Sequence, residues 1–139
     1  MRLRFDIEMH SFQRDVETIR RRWDRQISTT VYRAAKAVKE RAIAYTPVDR
    51  GDLRRAYKIS KTKDGKQRGY IVKNTAKHFG YVEYGTGIYG QAGGRRTAWT
   101  YWHHRYGLVR TRGQRPKKMM RKAYKDVKKM LPSMTRNVR

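Results

Sequence analysis

The chain has 139 residues, 36 Lys+Arg against 11 Asp+Glu, and a net charge of +25. It contains no cysteine, which excludes a disulfide framework and thiolate chemistry, and no apolar run approaches the roughly 20 residues of a membrane-spanning helix. The length predicts one domain over residues 1–131 with a frayed tail over 132–139, and the charge predicts an anionic partner, either nucleic acid or an acidic protein surface.

Taken in chain order, Met1-Arg2-Leu3-Arg4-Phe5-Asp6 carries no apolar signal core, which predicts a protein made in the cytosol and not exported by the usual routes. Residues 3–9 alternate, with Leu3, Phe5, Ile7 and Met9 on one side and Arg4, Asp6 and Glu8 on the other, which predicts a strand closed by Ser11 as a helix N-cap. From Phe12 the spacing changes to three and four through Val16, Ile19, Trp23, Ile27, Val31, Ala34, Ala35, Val38 and Ala42. That is an amphipathic helix over about 12–45, roughly 50 Å long, with Ser28-Thr29-Thr30 a candidate kink and the alanines a place for close approach.

Pro47 disfavours helical geometry at Thr46 and ends this helix near Tyr45. Asp49 then predicts the N-cap of a short second helix, with Asp52 in its first turn, Leu53 and Ala56 inward, and Arg54 and Arg55 outward. Tyr57 and Ile59 open a strand, Lys63-Asp64-Gly65-Lys66 is a hairpin turn, Tyr70-Ile71-Val72 returns, and Tyr81 to Tyr84 form a further strand. The expected product is one antiparallel sheet of three or four strands.

Residues 85–113 are glycine-rich and weakly periodic, yet hold Trp99, Tyr101, Trp102 and Tyr106. Two readings stand: a loop that orders against a neighbouring subunit, or an internal hairpin packed on its own domain. After Pro116, Met119, Met120, Ala123, Val127 and Met130 predict a C-terminal helix.

Catalysis is poorly supported. The histidines are His10, His78, His103 and His104. Adjacent residues of a strand or helix do not share a face, so His103-His104 reads as a poor chelate with no carboxylate cluster beside it in sequence. The paired carboxylates, Asp6/Glu8 and Asp49/Asp52, serve a polar strand side and a helix start. No serine is placed beside Glu83 or Asp126. Gly85-Thr86-Gly87 and Gly93-Gly94-Arg95-Arg96 lack the Gly-Lys-Ser/Thr of a P-loop and read as conformational joints. The expectation is no catalytic residue, no metal, no cofactor and no small-molecule substrate.

The charge is uneven. Residues 1–83 hold 21 basic and 10 acidic side chains, whereas residues 84–139 hold 15 basic side chains and Asp126 alone. Arg20, Arg21, Arg22 and Arg25 lie among Asp15, Glu17 and Asp24, so that helix face reads as internally paired. Arg95, Arg96, Lys117, Lys118, Arg121 and Lys125 are the better candidates for DNA or an acidic partner. Glu83 is the lone acid between Asp64 and Asp126, which predicts an Arg or Lys partner within the domain or across a subunit boundary.

Taken together, Pro47, Val48, Asp49, Gly51, Leu53 and Arg54, then Tyr81, Val82, Glu83, Tyr84, Gly85 and Thr86, then Arg112-Gly113-Gln114 and a looser Pro116, Met120, Arg121 and Ala123, form an ordered pattern. Over roughly residues 30–125 the chain resembles the head–tail neck proteins of long-tailed phages, also called minor tail, tail-completion or gene-product-ten-like proteins. Met119 stands where those proteins usually carry Phe, and Lys122 where they carry Pro. The resemblance implies an α+β fold, with a small antiparallel sheet packed against one long N-terminal helix, a long central loop over 85–113 and a short C-terminal helix. It implies a non-enzymatic virion protein of the neck, in a homo-oligomeric ring matching the six-fold tail. Its partners would be a head-side connector or head-closure protein, a tail terminator or tail-tube protein, and packaged DNA, with no membrane. Glu83, Trp99, Tyr101, Trp102 and Tyr106 are its candidate interface residues. The competing reading is a free-standing nucleic-acid-binding protein without sequence specificity.

Overall fold

A computed structural model of the chain describes residues 2–62, 69–91 and 93–136, with side chains from Gln13 onward. The expected Lys63-Asp64-Gly65-Lys66 turn lies outside the described residues. The architecture is α+β. Helix α1 (Arg2–Tyr45) is followed by α2 (Asp52–Arg55), strands β1 (Tyr57–Lys61) and β2 (Tyr70–Asn74), α3 (Phe79–Tyr84), a 3-10 turn (Gly87–Tyr89), strands β3 (Trp99–His103) and β4 (Gly107–Thr111), and α4 (Met119–Thr135).

The predicted strand over 3–9 is instead the first turns of α1, and Ser11 lies inside that helix. The same residues also fit a helical spacing, since Phe5, Met9 and Phe12 continue by threes and fours into Val16, Ile19 and Trp23. No Gly or Pro interrupts them, and extending a helix already nucleated costs little. At 44 residues, α1 is about 66 Å long. It runs unbroken through Ser28–Thr30, where the Thr29 and Thr30 hydroxyls donate to the carbonyls of Arg25 and Gln26, each at 2.9 Å.

Helix α4 lies antiparallel along the end of α1. Arg41 reaches Met130 Sδ and Asp126, and Tyr45 reaches Asp126. Small side chains permit this approach, for Ala42 and Ala123 are both fully buried. With Tyr57 they form the core, flanked by Val38, Ile43, Phe79 and Met120. The helix extends through Pro132 to Thr135, into the stretch expected to fray.

The sheet is split in two. β1 pairs with β2, Tyr57 opposite Asn74 and Lys61 opposite Tyr70; β3 pairs with β4, Trp99 opposite Thr111 and His103 opposite Gly107. Both pairs are antiparallel, and among the described residues neither joins the other. The first pair packs on α1, with the Tyr32 and Tyr70 rings 5.2 Å apart. The predicted strand at Tyr81–Tyr84 is the helix α3. Burial explains why: alternation would place Tyr81 and Glu83 on one face, but Tyr81 is 64% exposed and Glu83 only 4%. The buried set follows helical spacing, as Phe79 meets the edge of the Tyr57 ring at 6.1 Å and Glu83 faces inward one turn later.

Candidate assembly surfaces

The turn between α1 and α2 is fastened from within. Thr46 is buried; its hydroxyl donates to the Ala42 carbonyl at 2.6 Å and shares a hydrogen bond with the Tyr57 hydroxyl at 2.9 Å. Burial raises the Tyr57 pKa above the usual phenol value, with the bond to Thr46 opposing. Arg54 Nε donates to the Thr46 carbonyl at 3.0 Å, and Asn74 Nδ2 to the Leu53 carbonyl at 2.8 Å. Leu53 is buried and Asp52 sits in the first turn of α2, as predicted. The predicted N-cap differs: Gly51 holds that place at φ +81°, without a side-chain cap. Asp49 is free to face the β3–β4 turn instead, with Oδ2 3.4 Å from His104 Nε2 and Oδ1 3.5 Å from an Arg105 guanidinium nitrogen.

Glu83 is buried, and among the described residues it caps a helix rather than pairing with an Arg or Lys side chain. Its two carboxylate oxygens accept the backbone N–H groups of Met120 at 3.0 Å and Arg121 at 3.2 Å. These are orphan donors of the first turn of α4. The residue at the cap position, Lys118, has φ +54° and no side-chain cap of its own. Its N–H and that of Lys117 donate to the carbonyls of Glu83 and Val82. A carboxylate borrowed from α3 therefore caps α4 and complements its dipole. The signal in the sequence was the isolation of this acid. Its partner was hidden because a helix end carries no charged side chain to find.

The two outer motifs form one junction. Thr86 N–H donates to the Gln114 carbonyl at 2.9 Å and Ile88 N–H to the Arg112 carbonyl at 3.0 Å. Gln114 N–H returns a bond to the Thr86 hydroxyl at 2.9 Å. The backbones are so close that a Cβ on Gly87 would sit 2.0 Å from the Arg112 carbonyl oxygen, and one on Gly113 2.1 Å from the Thr86 oxygen. Gly87 also has φ +60°, so glycine is required there on both counts.

Beyond this junction the chain makes the β3–β4 hairpin; one reading of residues 85–113 expected a hairpin packed on its own domain, but here much of its surface is exposed. Trp102 and its cross-strand partner Leu108 are exposed together, Tyr106 and Tyr101 are exposed, and Trp99 is half-buried. Arg95 and Arg96 precede it, both exposed, with Arg95 Nε donating to the Thr97 hydroxyl. A second apolar surface lies on α1, where Val16, Ile19, Trp23 and Ile27 are all exposed. The sequence marked that stripe only as the apolar face of an amphipathic helix.

Two charged features complete the surface. On α4, Met119, Ala123 and Val127 face inward, while Arg121, Lys122, Lys125, Lys128 and Lys129 are exposed; just before it Lys117 is exposed and Lys118 half-exposed. Asp126, the acid of that helix, accepts from the Tyr45 hydroxyl at 2.5 Å and from Arg41 at 3.3 Å. The Tyr45 hydrogen bond holds the Asp126 carboxyl below the usual carboxylate range, desolvation opposes, and the Arg41 charge assists. The same bond, then desolvation, raises the Tyr45 phenol. The second feature is a meeting of Asp49, His103 and His104, whose ligand atoms all lie within 4.8 Å of one another. His103 ends β3 and His104 begins the turn, so the strand alternation that would separate them does not apply.

Among the described residues no helix is long and apolar enough to cross a membrane. Comparison with known proteins gives one family: the HK97-gp10-like model, described as "Bacteriophage HK97-gp10, putative tail-component", matches residues 10–85. No curated protein and no solved structure gives a match. The matched span takes in the exposed stripe of α1, the Thr46–Arg54 turn, the first hairpin and the capping Glu83, and covers more than half of the chain; the protein belongs to the HK97-gp10-like family of bacteriophage tail components.

Proposed function

We propose that this tail component is a structural protein of the virion neck, a ring subunit that joins the capsid connector to the tail and carries out no catalysis. One observation carries this reading. The core is small, centred on Ala42, Tyr57 and Ala123, while large apolar side chains stay exposed on the α1 stripe and on the β3–β4 hairpin. Exposed apolar surface gathered in two separate places suits a subunit that meets a neighbour on each side, which is the head-to-tail geometry of a closed ring. Tyr101, Trp102 and Tyr106 serve as interface residues, with Val16, Ile19 and Trp23 on the opposing surface. Glu83 acts inside the subunit. The basic face of α4 docks on an acidic head-side or tail-side partner, and Arg95 and Arg96 face packaged DNA.

The test is a phage in which expression of this chain is abolished. Filled capsids and finished tails that fail to join are the expected products; normally joined, infectious particles refute the reading. The exposed lysines and arginines of α4 favour one alternative, a free-standing nucleic-acid-binding protein. That alternative requires a monomer that binds DNA tightly, with affinity falling by orders of magnitude between about 50 and 200 mM salt. The neck reading requires weak binding by the free subunit.

A further inference from the structure

We infer that Asp49, His103 and His104 form a binding site for a divalent transition-metal ion of the zinc and nickel class, which clips the β3–β4 turn to the α1–α2 turn. The three residues offer one ligand atom each within a common space, all within 4.8 Å of one another. The two imidazoles are stacked, with ring centroids 4.5 Å apart and planes at 27°, and Tyr106 stacks on His103 at 4.8 Å. The rings are thus held together by packing rather than by the ion. Two imidazoles and one carboxylate select borderline ions such as Zn2+ or Ni2+ over Mg2+ and Ca2+, which take oxygen ligands. Three protein ligands leave a further position for water or for a group from a neighbouring molecule.

One residue opposes the ion. Arg105 places its guanidinium 3.5 Å from Asp49 Oδ1, and its backbone N–H donates to His103 Nδ1 at 3.1 Å. Both interactions must yield, or shift to the other His103 nitrogen, when a metal enters. The Arg105 and Asp49 side chains are each at least half exposed, and exposed pairs of this kind are weak. The second interaction across this gap, His104 with Asp49 at 3.4 Å, is replaced by the metal rather than lost. The ion therefore substitutes a coordinate link for a loose polar contact between two turns distant in sequence.

The experiment is calorimetric titration of the tag-free full chain with zinc chloride and nickel chloride, and with magnesium chloride as the control. One-to-one uptake of zinc or nickel, and none of magnesium, is expected. His104→Ala and Asp49→Asn each weaken binding by at least roughly tenfold, the lower end of what disturbing even an outer-shell partner of a metal ligand costs. His78→Ala leaves binding unchanged. Arg105→Gln tightens it, an effect of opposite sign that loss of folding cannot imitate. Nickel-induced broadening of the His103 and His104 ring resonances supplies a second readout on the intact protein. Absence of saturable uptake overturns the inference, as does uptake that survives in the His103→Ala/His104→Ala double variant.

Discussion

The two halves of α1 face opposite fates within one unbroken helix. Its C-terminal half is packed under α4 and the first hairpin, with Ala35 and Ala42 buried, whereas Val16, Ile19 and Trp23 in its N-terminal half, and Ile27 just past its middle, remain exposed. Both halves carry apolar residues at helical spacing. What separates them is which neighbours reach them, for α4 and the first hairpin pack along the C-terminal half, where Val38 and Ile43 pack with Ala42 in the core. Alanines on the packed half admit α4 closely, and Trp23 and Ile19 on the other leave their area uncovered among the described residues. Periodicity alone therefore identifies a helix face that wants cover, but not whether the cover comes from the same chain.

The comparison can be broken at several strengths. The largest expected effect is on the junction that anchors the packed side. Gly87→Ala forces a Cβ 2.0 Å from the Arg112 carbonyl oxygen at φ +60°, and should cost about 4 kcal/mol or more, in the range reserved for strained or clashing sites. Gly80→Ala, with nothing within 4 Å, should be neutral or stabilising by about 1 kcal/mol within α3; denaturant titration of the pair checks both. Next, Ala42→Leu overfills the α1–α4 seam and should cost about 1–3 kcal/mol, read as a lower thermal midpoint. Glu83→Gln keeps the shape but turns an amide toward two N–H donors, and should cost about 1–2 kcal/mol, the size of a lost helix cap. That loss appears in the isolated subunit; an unchanged midpoint with defective assembly would restore Glu83 to an interface.

A smaller effect is visible only through pH. The lowered pKa of Asp126 means that its contribution is complete above the ordinary carboxylate value near 3.9 and is lost as pH falls through the native value. The raised pKa values of Tyr45 and Tyr57 contribute fully below about pH 10 and fade as pH climbs through their native values. Asp126→Asn should flatten the acid limb of a stability profile and weaken the Tyr45 part of the alkaline limb. The least stability effect is expected on the bare half of α1, where Ile19→Ser should change stability by no more than about 0.5 kcal/mol. The same substitution should lower ring formation in sedimentation velocity, and unaltered assembly would remove the stripe from the interface.

Much of the fold was legible because its signals are local. Pro47 ended α1, Tyr57 and Tyr70 marked a hairpin, and Met119 to Met130 marked α4. The errors share one cause. The alternation in residues 3–9 and 81–84 is too short to distinguish a strand from a helix whose neighbours decide burial. Phe79 and Glu83 turn inward because Tyr57 and the start of α4 lie there, a fact set by residues far along the chain. The candidate surfaces were read in pieces for the same reason. Gly85-Thr86-Gly87 and Arg112-Gly113-Gln114 were recognised as separate motifs, and only the fold joins them across the intervening hairpin. His103 and His104 were dismissed as a pair by a rule for regular strands that stops applying where β3 ends.

Gly87 and Gly113 cross with their backbones in contact, Gly113 facing the Thr86 carbonyl and Gly87 that of Arg112. This crossing seals the excursion at its root, so the segment between is tied to the rest of the subunit there and where Asp49 faces His104 and Arg105. The family match stops at residue 85, beside this root. Loop-length changes beyond such a seal carry only a small entropic penalty, about 0.6 kcal/mol per doubling. The hairpin can therefore be treated as a head on a fixed handle, open to grafting so long as its turn keeps a partner for Asp49.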